Sequence, residues 1–204
     1  MAMNRPPEIK QIETLLGRTF TTLETIRPYS AFRARIEEPR VIITPAGSEF
    51  PLDRVIETVG EHCLSCHGLS YTVFVGLLDD VGPPSLYAIA DADPIRLMAV
   101  FDVGNHNDFA GDAPARARRY MAALLTTDPF VPYFADPAGF KVRFIDHVSA
   151  ARAREIAGAV LEFDPDAVAV GEALAHVEDA GDIDILDALG QMIHKRQRLE
   201  LWWD

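Results

Sequence analysis

Residues 52–66 place Leu52, Val55, Ile56, Val59, Cys63 and Cys66 on one side of a helical wheel, with Asp53, Arg54, Glu57, Thr58 and Glu61 opposite. This spacing predicts an amphipathic helix with one buried stripe. The same period predicts an opening helix over 6–16, stopped by Gly17, and a helix over 112–126 through Ala117, Tyr120, Met121, Leu124 and Leu125. A further helix begins at Ser149 and carries Ala153, Ile156, Ala157, Val160 and Leu161 to a stop at Phe163-Asp164-Pro165-Asp166. Asp93-Pro94 reads as the cap and first residue of a short helix, and Ile185, Leu186, Leu189 and Ile193 mark the last one.

Between these stretches the pattern changes to strands. Residues 71–78 and 86–90 are strand-like, and 130–135 and 140–145 are expected to pair around Asp136-Pro137-Ala138-Gly139. Residues 19–44 read as short strands punctuated by Pro28 and Pro39. In the final stretch Leu199, Leu201 and Trp203 face one way, while Arg198, Glu200 and Trp202 face the other. The first set reads as a buried strand face. The second places an indole beside charges, on the side where water or a partner is expected.

Helices and strands are interspersed without a regular βαβ rhythm. The expected fold is therefore α+β, with a mixed or mainly antiparallel sheet packed with several helices. Residues 1–49 form an N-terminal helix and short strands packed on a main α+β domain of residues 50–204.

Charge narrows the classes of partner. Nineteen basic against thirty-one acidic residues give a net charge of −12 over 204 residues. Such a surface repels nucleic acid and anionic lipid and favours a basic protein partner. Arg116, Arg118 and Arg119 are too small a cluster to reverse that. No apolar run reaches membrane-spanning length, and none follows Arg5 as a secretory signal would require, so the expected location is cytoplasmic. Oligomeric state stays open.

Candidate chemistry is sparse. Cys63-Leu64-Ser65-Cys66-His67 matches the C-x-x-C-H pattern of haem attachment, and with His62 it offers a zinc-type donor set. Both cysteines, however, lie in the apolar stripe near the C-terminal end of their helix, where the dipole disfavours a thiolate. The segment therefore reads as packing, with no cofactor, and haem or zinc on His62, Cys63, Cys66 and His67 is the alternative. His106, Asn107 and Asp108 sit in a polar loop after Gly104 that could hold a small ligand or support hydrolysis, lined by Trp203 and Phe163. Asp166 and Trp202 complete the candidate partner or ligand surface. No phosphate loop, dinucleotide fingerprint, nucleophile elbow or H-E-x-x-H is present, and no catalytic residue can be named.

Four segments carry a resemblance: Asp93-Pro94-Ile95-Arg96-Leu97-Met98, Val103-Gly104-Asn105-His106-Asn107-Asp108-Phe109, Leu161-Glu162-Phe163-Asp164-Pro165-Asp166 and Leu201-Trp202-Trp203-Asp204. Over about residues 70–204 the chain resembles the bacterial domain-of-unknown-function family 4253, whose terminal Leu-Trp-Trp-Asp it keeps unchanged. Asp164 stands where that family usually has Cys, and the Gly104 loop lacks its Tyr, as in a divergent member. The resemblance implies a cytosolic bacterial α+β protein without a known substrate or cofactor. Together these readings point to a non-enzymatic protein-interaction module of immunity-like type.

Overall fold

The structure, a computed structural model, describes residues 7–20, 22–23, 42–45, 52–77, 84–90, 92–104, 112–163 and 184–203. Their elements run α1 (Pro7–Leu16), β1 (Thr22–Leu23), β2 (Ile42–Pro45), α2 (Leu52–His67), β3 (Tyr71–Gly76), β4 (Ser85–Ala90), α3 (Pro94–Val100) and α4 (Ala113–Thr127). The chain continues through β5 (Phe130–Asp136), β6 (Gly139–Phe144), α5 (Ala150–Phe163), α6 (Ile185–Arg196) and β7 (Arg198–Trp202). The seven strands form one sheet in the order β1-β2-β4-β3-β5-β6-β7. Only β3 and β5 pair in parallel; the other neighbours are antiparallel. The fold is α+β with a mixed sheet, as the patterning predicts.

Local chemistry sets the helix ends. The Asp93 side chain accepts from the backbone N–H of Ile95 at 2.8 Å and of Arg96 at 3.3 Å, with Pro94 where no donor is needed. Ser149 Oγ accepts from Arg152 N at 3.2 Å. Arg152 also reaches back to Asp128 at the end of α4, 2.6 Å away, and its hydrogen bond holds that carboxyl below the usual range. Asp112 precedes α4 without capping it and instead pairs with Arg116 and Arg119. Gln197, left-handed at φ 55°, ends α6 and turns the chain into β7 while its side chain bonds the Val148 backbone.

The sheet separates two cores. On one face α1 and α2 cover Tyr71, Val73, Val75, Leu86, Ala88 and Val131. On the other, α3 to α6 cover Phe74, Tyr87, Phe140, Val142, Leu199, Leu201 and Trp203. Such a three-layer arrangement explains why β3 and β5 read as continuous apolar runs: both of their faces are buried. Leu52, expected in the α2 stripe, and Ile185, expected in the last one, are instead exposed, each in the first turn of its helix, where the chain has not yet reached the sheet.

Among the described residues the strand register shifts at one place, in β5. The β5–β6 ladder pairs Pro132 with Val142 and Phe134 with Lys141, leaving Tyr133 as an extra residue. This bulge breaks the alternation, so Tyr133 and Phe134 both join the core on the α2 face.

Candidate functional site

The most chemically dense surface lies where β5, β6 and β7 run out from under α2. Alternation puts Lys141 and Arg143 of β6 on the same face as Arg198, Glu200 and Trp202 of β7, with Lys141 directly opposite Glu200. Glu200 Oε1 accepts from the Tyr133 hydroxyl at 2.8 Å, and Oε2 accepts from Lys141 Nζ at 3.0 Å. Arg198 donates through one nitrogen to both Glu57 oxygens of α2 at 2.9 Å, with its guanidinium 5.4 Å from the centre of the Tyr133 ring. Arg143 donates to the carbonyls of Gly60 and Glu61 at 2.8 and 3.2 Å. Gly60 lets α2 sit close over Tyr133 and Arg198, since a Cβ there would lie 3.1 Å from the Tyr133 ring and 3.4 Å from the Arg198 guanidinium carbon.

This geometry corrects one expectation. Alternation alone assigns Arg198 and Glu200 to a wet face, yet Arg198 is only 9% exposed and the Glu200 side chain 12%. The overhang of α2 and the Tyr133 ring close them off. Burial alone would raise the Glu200 pKa, but the Lys141 charge and the hydrogen bonds from Lys141 and Tyr133 outweigh it, so the carboxyl sits below its ordinary value. Burial first, then the neighbouring Glu200 charge, drives the Tyr133 hydroxyl far above its ordinary value and keeps it a donor.

Trp202 ends this face and is 38% exposed, whereas its neighbour Trp203 is 3% exposed on the opposite side. The Trp202 ring is fixed from below. Its centroid lies 6.1 Å from that of Phe134, and a Cβ on Gly139 would come within 2.6 Å of it. It is thus an aromatic surface with one side seated and the other open.

The cysteine segment is placed as the α2 pattern predicts. Cys63 and Cys66 are wholly buried free thiols, His62 is partly buried and His67 exposed. Burial pushes the Cys63 thiol up to about 11 and the Cys66 thiol up to about 12, so both are protonated at neutral pH. Among the described residues no three His, Cys, Asp or Glu side chains are arranged to hold a metal. His106, Asn107, Asp108 and Asp166 lie outside the described residues. The start of the His106 loop is anchored, with Gly104 N donating to Pro137 O at 3.1 Å beside Ala138, whose carbonyl accepts from Trp203 N at 2.7 Å. Phe163 is stacked on Tyr120, with ring centroids 4.9 Å apart.

Of the candidate site residues named from sequence, only Trp202 belongs to the polar platform, which Arg198 and Glu200 of the same strand face share. Tyr133, Lys141 and Arg143, and the contact of Glu57 with Arg198, are additions from the structure, although the polar-apolar alternation Lys141-Val142-Arg143-Phe144 is a signal for a charged strand face. Compared with protein-family models, curated proteins and solved structures, the chain matches none.

Proposed function

We propose that the chain is a non-enzymatic protein-interaction module of immunity-like type, bacterial and cytoplasmic, and a divergent member of family 4253. Its docking surface is centred on Trp202, and its partner is a protein of basic charge rather than nucleic acid or lipid. The observation that carries this reading is the seated, half-open Trp202 ring at the end of the sheet. Rigid, partly exposed aromatics serve as interface anchors because they bury a large area while losing little side-chain freedom. The acidic surface supports the sign of the partner, since opposite charge speeds encounter.

The test is Trp202→Ala. Partner capture should be lost while the far-ultraviolet spectrum and unfolding cooperativity stay as in the parent, with stability changed by about 1 kcal/mol or less. Undiminished capture, or an unfolded variant, would overturn the surface role. Stoichiometric iron or zinc in purified protein, absent from Cys63→Ala, would instead favour the haem or zinc reading of His62, Cys63, Cys66 and His67.

A further inference from the structure

The register between β6 and β7 determines which backbone groups remain outside. Phe144 N donates to Gln197 O at 3.1 Å, and Trp203 N donates to Ala138 O at 2.7 Å, at the two ends of the ladder. Hydrogen-bonded positions alternate in an antiparallel pair, so Gln197, Leu199, Leu201 and Trp203 turn their backbone groups toward β6. The N–H and C=O groups of Arg198, Glu200 and Trp202 therefore point away from it, and β7 is the last strand of the sheet. Among the described residues no strand takes them up.

The side of α2 that Arg198 reaches from this edge is acidic. Asp53, Glu57 and Glu61 recur every fourth residue and so form one row. Glu57 is the member that reaches β7, through Arg198. Asp53 and Glu61 are exposed, and their carboxylates make no hydrogen bond or ion pair among the described residues.

We propose that an extended, basic segment of the protein partner adds to the β7 edge as an eighth strand. This rests on the reading of Trp202 as the docking centre and supplies its mode. An added strand lies about 4.8 Å beyond β7. On the α2 face its side chains lie beside those of β7, where Glu57 is held at Arg198, and then beside the open Trp202 ring; the acidic row to which Glu57 belongs favours Lys or Arg. The charge of the chain selects against a second copy as occupant, since it would bring another acidic row into the same place.

The experiment uses the whole chain and a fluorescein-labelled peptide of alternating lysine and valine, monitored by anisotropy at low salt. Two further peptides carry backbone N-methyl groups, one at the odd and the other at the even positions. In strand addition only alternate amides face β7, so one methylated peptide should bind about tenfold or more weakly while the other matches the parent. Glu61→Lys should weaken the unmodified peptide severalfold, and an alternating glutamate-valine peptide should not bind. Equal binding of both methylated peptides, or no binding of the unmodified one, would overturn strand addition. In that event, Trp202→Ala would still decide by partner capture whether the docking surface stands. A concentration-dependent dimer broken by a peptide-free β7 edge variant, Glu200→Pro, would seat a second copy there and overturn the basic segment as occupant.

Discussion

The two sides of β7 solve the same problem by different means. On the α6 side Leu199, Leu201 and Trp203 are buried among Phe140, Val142, Leu189 and Ile193, an apolar core without directional demands. On the α2 side Arg198 and Glu200 are nearly as buried, but each must meet a charge or donor from another element. The apolar side supplies burial, about 25 cal/mol per Å² removed from water. The polar side adds little net stability and much constraint, because a buried charge with a missing partner is costly. The difference shows how one strand is both fastened and aimed, with Trp202 carried on the aimed side.

The largest break should come from the apolar side. Leu201→Ala removes a fully buried side chain and should cost about 2–5 kcal/mol in urea unfolding. A loss below about 1 kcal/mol would mean that β7 is only loosely attached to the α6 side. Next is Gly139→Ala, whose new Cβ would collide with the Trp202 ring at 2.6 Å. It should cost about 1–3 kcal/mol and increase acrylamide quenching of tryptophan emission as the ring is lifted off Phe134.

The smallest effect is in the pH dependence. Glu200 is held below its ordinary value of 4.5, so the native state favours the ionised form. Its contribution is therefore complete above that ordinary value and is lost as pH falls through the lowered one. Glu200→Gln should flatten the stability profile below about pH 4.5, by an amount on the order of 1 kcal/mol. An unchanged acid limb would show that Lys141 and Tyr133 do not favour the charged form.

Legibility in the sequence divides along the same line. The α2 stripe from Val55 to Cys66, the β5–β6 hairpin, the Asp93 cap and the buried set Leu199, Leu201 and Trp203 depend on local period and turn chemistry, and all four are found. The polar platform is not local. Tyr133 meets Glu200 across 67 positions, and Arg198 meets Glu57 across 141. The bulge at Tyr133 also resets the alternation within β5, so no period-2 reading would place Tyr133 and Phe134 on one side. Charged residues in an alternating strand are read as wet unless something lies over them, and the overhang of α2 depends on strand order. Trp202 could be found because it is exposed; its seat on Gly139 and Phe134 could not.

The 141-position span between Glu57 and Arg198 also bears on the order in which the chain folds. Closing a loop of that length costs entropy before any contact returns it, so β7 is expected to dock late, after α2 and β3 have already met as sequence neighbours. Until then β6 is the exposed sheet edge, with Phe140, Val142 and Phe144 on a face that β7 has yet to extend. The last strand is therefore a shield as well as a fastening: while it is undocked, β6 offers stray chains a template for aggregation.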